Sequence, residues 1–374
     1  MKFSDIPGLS ETKNLLIDSV KNQHIAHAQL FAGAEGALNL PLALAYATYL
    51  HCQNKGNDAC GTCPACSKSL KYIHPDTHFV FPLSNVKNDK DEDRFKADIL
   101  KSWRLFLSEQ PYGDLDNWTA AYGGEDKQAF ISREESREIV KALSLKPFES
   151  QYKVMIIWQP EFMHPTAANG ILKILEEPAT HTYFILVTNA ADQLLPTILS
   201  RTQLMNVPLL DDHEIEKFLV EKKSVDLKRA SRISQLAEGN LNLALTLSEN
   251  EEDDNAQLFI DWMRACHSRK RMGDLVTKAE EFHAFDKLRQ RNVLHYSMNM
   301  MREALLNISK AGSIHRIQGE ELKFIQQFST VMNVQKIEQS FKLMNDAAYH
   351  LERNGSAKMI FLDLSLQLSK TINP

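Results

Sequence analysis

The 374-residue sequence lacks the features that mark a membrane, secreted or disordered protein. It has only 14 glycines and 13 prolines, with 43% hydrophobic and 24% charged residues, so long disordered stretches are not expected. No apolar run approaches the roughly 20 residues that span a bilayer. The opening stretch, MKFSDIPGLSETKNLL, lacks the charged and then apolar plan of a secretory signal. We therefore expect a globular cytoplasmic protein.

An excess of positive charge is also missing. The formal net charge is -5 at pH 7, which argues against a protein that coats DNA by itself but leaves room for a local basic face. The length exceeds that of one ordinary core, so two or three domains are predicted. Any role on nucleic acid is expected to be shared with partners.

Cysteine is scarce, but four of the five cysteines lie in one short stretch. They are Cys52, Cys60, Cys63 and Cys66. Their spacing lets four thiolates converge on one tetrahedral ion, so a single structural zinc per chain is predicted. Disulfides or unpaired thiols are the alternative, which a cytoplasmic setting disfavours. His74 and His78 are alternative ligands, although four thiolates suffice; Cys266, alone in a helical pattern, is predicted to be a buried apolar residue.

Buried-strand patterns alternate with helical patterns over residues 1–208, which predicts a parallel α/β sheet. The strand patterns are HAQLFAG, YKVMIIW and TYFILVTN, and SREESREIVKAL is predicted to be a helix that Ser132 caps. Between 84 and 129 the chain is polar and interrupted by proline and glycine, so we predict an insertion on the domain surface.

Beyond Pro208 no such strand pattern recurs. We predict a small helical lid domain over 209–250 and a helical bundle over 251–374, with the acidic run ENEEDDN at 249–255 as a linker. In the bundle, Asn354-Gly355 is predicted to end one helix and Ser356 to cap the last.

The segment FAGAEGALNL has the outline of a phosphate-binding loop, with glycines at Gly33 and Gly36 between a strand and a helix. When the motif G-x-x-x-x-G-K-[ST] is counted from Gly33, its last three defined positions do not match. They are occupied by Leu38, Asn39 and Leu40. The loop therefore lacks the lysine and the hydroxyl group that hold phosphate and metal.

The strand VMIIW also lacks the chemistry of an ATPase. In such enzymes a buried strand ends in carboxylates that orient Mg²⁺ and the attacking water. Here the strand ends in Trp158 and Gln159, and the first carboxylate, Glu161, comes three residues late. ATP binding and hydrolysis by this chain are not expected.

A third motif, LLPTILSRTQ, is predicted to form a short helix before the last apolar stretch of the α/β domain. Pro196 starts a turn, Thr197 can cap the helix, and Ser200, Arg201 and Thr202 end it. From spacing alone, Arg201 is interpreted as a solvated surface residue.

Taken in order, these motifs resemble the delta-prime subunits of the bacterial DNA polymerase III clamp loader, which are AAA+ (P-loop NTPase-like) proteins. The resemblance rests on HAQLFAGAEG, the four cysteines, HPD, KVMIIWQPEF with the helix and strand that follow, and LLPTILSRTQ. It extends more faintly through LAEGNLNLALTL and NGSAKMIFLDLSL. The related gamma/tau subunits share the cysteines but keep the lysine and the acidic strand end.

The resemblance implies a subunit that is not catalytic by itself and acts in a ring of AAA+ modules. Arg201, supported by Ser200 and Thr202, would reach the ATP of a neighbouring subunit, although Thr202 replaces the cysteine usual in the family. The partners implied are gamma/tau and delta subunits, with the sliding clamp and primed DNA reached through the complex. Residues 251–374 would form the collar that holds the oligomer together.

Two other functions remain open at this point. One is a gamma-like ATPase with an unusual loop, against which Asn39 and Trp158 argue. The other is a zinc-dependent nucleic-acid-binding adaptor, which tight and salt-sensitive DNA binding by the lone chain would favour.

Overall fold

The computed structural model describes residues 1–84, 92–124, 127–132, 134, 139, 146–249, 254–268, 272–311, 315–317, 319–352 and 355–373. Most of the helix predicted over 132–143, part of the linker predicted over 249–255, and Asn354 lie outside these ranges. The chain forms two compact units. Met1–Val225 with Ala237–Leu245 make the first, and Asp226–Leu236 with Thr246–Pro374 make the second.

A five-stranded parallel sheet organises the first unit. The strands of the unit are β1 (Ala28–Ala32), β2 (Thr77–Val80), β3 (Leu83–Ser84), β4 (Ala129–Phe130), β5 (Lys153–Trp158), β6 (Thr182–Thr188) and β7 (Gln203–Asn206). The sheet order is β2-β5-β6-β1-β7, and β3 pairs separately with β4. Every residue of β1 and β5 is buried, as expected of strands covered on both faces. The predicted α/β class is confirmed.

Helices alternate with these strands along the chain and continue beyond β7. They are α1 (Ser10–Lys21), α2 (Asn39–His51), α3 (Pro64–Ser69), α4 (Glu92–Glu109), α5 (Leu115–Ala121), α6 (Pro165–Glu176), α7 (Pro196–Leu199), α8 (Asp212–Lys223), α9 (Leu227–Ala237) and α10 (Leu241–Glu249). Helix α7 begins at Pro196 with Leu195 in the capping position. The predicted cap at Thr197 is therefore wrong, because proline suits the first helical position and moves the start earlier.

The segment predicted as a surface insertion is partly core. Trp103 of α4 and Trp118 of α5 are fully buried, and the Trp103 ring lies 5.3 Å from that of Trp158 between centroids. The Trp118 indole donates a hydrogen bond to Pro82 O at 2.8 Å. The surface prediction is wrong for these two helices, because the apolar face of α4 packs against aromatic side chains at the end of β5.

The second unit contains α9 and six further helices among its described residues. The six are α11 (Asp254–His267), α12 (Met272–Ala284), α13 (Lys287–Ile308), α14 (Gly319–Phe328), α15 (Val334–Glu352) and α16 (Ala357–Ile372). Phe361 stacks on Trp262 and on Phe282, with centroid distances of 4.5 and 4.1 Å. Cys266 is buried beside them as predicted, and burial raises the pKa of its thiol to about 12. The predicted helical character of this part is confirmed.

Two details refine the sequence predictions for this part of the chain. Ser356 occupies the N-cap position of α16, but its side chain makes no capping hydrogen bond. Within the described ranges, no helix has the length and apolarity needed to cross a membrane. The boundaries at 208 and 250 stay predictions.

Candidate functional site

The four predicted cysteine ligands come together. Their sulfur atoms all lie within 4.8 Å of one another, and Cys60 Sγ is 3.9 Å from Cys66 Sγ. In a tetrahedral site with metal–sulfur distances of about 2.3 Å, the sulfur atoms lie about 3.8 Å from one another. The group Cys52, Cys60, Cys63 and Cys66 can therefore hold a metal ion after small side-chain adjustments.

Backbone N–H groups donate to three of the four sulfurs, whereas burial raises the pKa of the Cys52 and Cys66 thiols. The N–H groups of Cys60, Cys63 and Cys66 donate to the sulfurs of Cys52, Cys60 and Cys63 at 3.2, 3.4 and 3.4 Å. The N–H groups of Thr62 and Cys63 lower the pKa of the Cys60 thiol to about 6. Pro64 starts α3 and Cys63 caps it, so two ligands lie at the start of a helix.

The two candidate histidine ligands do not join the group. Among the described residues, the cluster of potential ligand atoms contains the four cysteines and no histidine. His74 instead stacks on His51, with ring centroids 4.0 Å apart, and its Nδ1 accepts a hydrogen bond from the N–H of Asp76 at 3.2 Å. The histidines thus belong to the packing beside the cysteines.

Asp76, the last residue of the HPD motif, ties the start of β2 to the segment before β5. It is 1% exposed and accepts hydrogen bonds from the N–H groups of Phe148, Glu149 and Ser150 at 2.5, 2.8 and 2.8 Å. Burial by itself would raise the pKa of this carboxyl group, but the three donors outweigh it and the pKa is lowered.

Asp76→Asn is expected to destabilise the protein at pH 7 by roughly 1–3 kcal/mol, because an uncharged amide accepts fewer of the buried donors. The folded-state pKa is depressed, so this contribution is present above the unfolded pKa of about 3.9 and is lost as the pH falls through the folded value. Urea midpoints at pH 7 and in acid would measure it. The exposed Asp18→Asn is the control; equal losses in both variants, or a loss independent of pH, would contradict the assignment.

The degenerate phosphate loop is closed by side chains of the protein. Asn39, at the position of the missing lysine, is 1% exposed and its Nδ2 donates to Thr188 O at 2.8 Å. A Cβ on Gly33 would lie 2.5 Å from Val207 O, and one on Gly36, whose φ is +86°, would lie 2.4 Å from Asn240 Cγ. Leu38 and Leu40 are buried. The two glycines therefore permit close packing of the loop against its own domain.

Asn189 links this loop to the degenerate metal strand. Its Nδ2 donates to Ala34 O at 2.8 Å, and its Oδ1 accepts a hydrogen bond from Gln159 Nε2 at 2.8 Å. Its backbone N–H donates to Glu161 Oε1 at 3.3 Å. Gln159 and Glu161 are thus bound to protein groups at the position where an ATPase would use carboxylates on Mg²⁺ and water.

Asn189 was not singled out from the sequence. A signal was nevertheless present, because Asn189 directly follows the buried strand pattern TYFILVT. Polar side chains at the carboxyl ends of parallel strands gather at one edge of the sheet. Trp158, at the end of the neighbouring strand, is 2% exposed and packs into the aromatic cluster rather than serving as a metal ligand.

Arg201 lies at the surface just after α7. Its Nη2 is 3.0 Å from Glu176 Oε2, in a pair whose side chains are 30% and 60% exposed. Its Nη1 donates to Thr197 O at 3.1 Å and to Ser200 Oγ at 3.4 Å, and Thr202 Oγ1 donates to Ile198 O at 3.1 Å. Ser200 thus contacts the guanidinium group directly, whereas Thr202 fastens the turn that carries it.

The chain is similar to known clamp-loader subunits. A family model described as "DNA polymerase III, delta subunit" matches residues 8–211. A DNA polymerase III subunit delta' of Bacillus subtilis is 27% identical over 257 residues, which cover 68% of this chain and 64% of that protein. The subunit delta' of Haemophilus influenzae is 23% identical over 318 residues, covering 85% and 82%.

A subunit gamma matches as well. The DNA polymerase III subunit gamma of Buchnera aphidicola is 26% identical over 254 residues, covering 66% of this chain and 58% of that protein. The matched regions thus span less than two thirds of the Bacillus and Buchnera relatives. The resemblance to clamp-loader subunits is confirmed. Because the family model covers more than half of the residues, the chain belongs to the DNA polymerase III delta subunit family.

Proposed function

We propose that this chain is the delta-prime subunit of a clamp loader, a member that neither binds nor hydrolyses ATP. With gamma/tau and delta subunits it would form a cytoplasmic ring that opens the sliding clamp and loads it on primed DNA. The observation that carries this proposal is Asn39, which stands at the lysine position and is hydrogen-bonded to Thr188 O.

The contacts around Asn39 also support a chain that does not bind ATP. A phosphate loop binds its ligand through free backbone N–H groups and a lysine ammonium group. Here Leu38 and Leu40 face the core, and Asn189 bonds the carbonyl of Ala34. The subunit would therefore contribute a fixed interface to the ring rather than a nucleotide switch.

Arg201 would contribute the catalytic group of that interface. An arginine supplied in trans stabilises the charge that develops on a transferred phosphoryl group. Arg201 is held in place by Glu176, by Thr197 O and by Ser200. In the ring, this guanidinium group would be presented to the ATP of the adjacent subunit.

We further propose that the ion held by the four cysteines is zinc. Four thiolates without a further ligand or open position favour a structural tetrahedral site. When bound, the ion would fix the segment that joins α2 to α3 by linking Cys52 at the end of α2 to Cys63 and Cys66 at the start of α3.

The isolated chain is expected to show no saturable binding of a fluorescent ATP analogue with Mg²⁺. The reason is the loss of the phosphate and metal contacts at Asn39, Leu40 and Trp158. Saturation near 10 μM, equivalent to roughly -7 kcal/mol, would contradict the proposal and favour the gamma-like alternative. A gamma/tau subunit from the same source serves as the positive control.

Partner recovery tests the rest of the proposal. A tagged copy of the chain, purified from its native host, should bring gamma/tau and delta subunits with it. If it instead bound DNA tightly as a lone chain, with affinity that fell steeply with salt, the adaptor function would be favoured.

A further inference from the structure

A cleft that the clamp-loader function does not use lies between α4 and β2 in the first unit. Its volume is about 360 Å³, and it is lined by residues of α4, of β2 and of the loop before β2. This volume falls within the roughly 300–1,000 Å³ typical of small-molecule sites.

The α4 wall combines apolar and cationic groups on one helical face. Leu100, Trp103 and Arg104 are spaced by three and four residues, so all three lie on the same side of α4. Leu100 lines the cleft, and 39% of its surface is exposed. Arg104 is exposed, and its guanidinium group has no ion-pair or hydrogen-bond partner among the described residues.

The opposite wall adds an exposed apolar residue and an imidazole. Ile73 is 45% exposed, and the Phe79 ring lies 6.2 Å from that of Trp103. His78 is half-buried, and burial lowers the pKa of its ring, which favours the neutral imidazole. Its Nε2 is buried without a hydrogen-bond partner in the described part of the chain.

The α4 wall also contains a donor that lacks an acceptor. Trp103 is fully buried, and its Nε1–H group has no partner among the described residues. A buried N–H donor without an acceptor is unfavourable. Trp103 Nε1 lies beneath the cleft surface, so a ligand oxygen would reach it only by displacing the side chains above it. His78 and Arg104 both line the cleft, so an anion bound there would lie near an imidazole ring and a cation.

We propose that the cleft binds a small organic acid, with its carboxylate at Arg104 and its apolar body between Leu100 and Ile73. The apolar walls select a bulky hydrocarbon or aromatic group, and the unpaired cation selects a negative charge. This inference is independent of the role of the chain in a clamp loader.

The test uses 3-phenylpropionate as the probe and its neutral amide, 3-phenylpropionamide, as the matched ligand. The full chain labelled with ¹⁵N gives one indole signal for each of its four tryptophans, and the Trp103→Phe variant identifies that of Trp103. The acid should shift the Trp103 signal saturably, with a Kd of about 0.1–1 mM, and the amide should bind at least about tenfold more weakly.

The variant Arg104→Gln should weaken binding of the acid about tenfold, whereas Lys101→Gln, an exposed charge on α4 outside the lining, should leave it unchanged. Three results would overturn the inference: no saturation up to about 10 mM acid, equal affinity for acid and amide, or equal losses in the two variants. The Trp118 and Trp158 signals report whether each variant keeps its fold.

Discussion

Replacing Arg201 with alanine is expected to lower the DNA- and clamp-stimulated ATPase of a reconstituted clamp loader, although this chain would hydrolyse no ATP itself. An arginine supplied in trans contributes roughly 10³–10⁵ in rate at the site that it serves. ATP sites that depend on other subunits would still work, so total hydrolysis should fall partially. Clamp loading should fall further if the ring acts as a unit.

The same substitution should leave the subunit itself intact. Arg201 and Glu176 form a surface pair with side chains 30% and 60% exposed, and such pairs contribute only about 0–1 kcal/mol. Metal content, thermal unfolding and recovery of the assembled complex by mass should therefore match those of the wild type.

Two further variants separate a catalytic role from a general effect of charge. Arg201→Lys should rescue poorly, because an ammonium group lacks the planar fork that spans two phosphate oxygens. Arg94→Ala removes another exposed arginine, on α4, and should change nothing. If a correctly assembled Arg201→Ala complex hydrolysed ATP and loaded clamps at the wild-type rate, Arg201 would be an ordinary surface residue.

Removing two of the cysteine ligands should have the largest effect on folding. The double variant Cys63→Ser, Cys66→Ser is expected to lose the bound zinc and the ordered structure of residues 52–69. Apparent binding energies of structural zinc sites are about 10–16 kcal/mol at pH 7, and at such sites binding energy is folding energy. Elemental analysis and limited proteolysis would measure the two losses.

The fifth cysteine provides the control for this experiment. Cys266 is buried in the second unit and contacts Ser365 O through its sulfur at 3.6 Å. Cys266→Ala should therefore retain one zinc per chain, even where the vacated volume costs some stability. A double variant that kept a full equivalent of zinc would show that the ligands have been assigned wrongly.

Sequence patterns predicted the three central strands β1, β5 and β6 well because these strands are buried almost throughout. Runs such as KVMIIW are apolar at every position, and that continuity distinguishes a central parallel strand from an amphipathic one. The cysteine group was equally predictable, since three ligands lie within seven residues and the short spacing restricts where the sulfurs can go.

The contacts that close the nucleotide loop could not be predicted in the same way. Asn189, Gln159 and Ala34 come from three separate strand ends and meet only when the sheet is assembled. Trp103 and Trp118 were missed for a related reason. Their segment is polar on average, and its apolar residues are concentrated where Trp103 packs against Trp118 and Trp158. Average polarity therefore concealed a local core.

The degenerate phosphate loop packs closely against its own domain at both of its glycines. Gly33 and Gly36 lie against Val207 O and the Asn240 side chain, so any larger residue would collide with protein atoms whether or not a nucleotide is present. Packing is thus a sufficient reason for glycine at both positions. A glycine-rich loop in a relative of this chain is consequently poor evidence of nucleotide binding, whereas the residue at the position of Asn39 is informative.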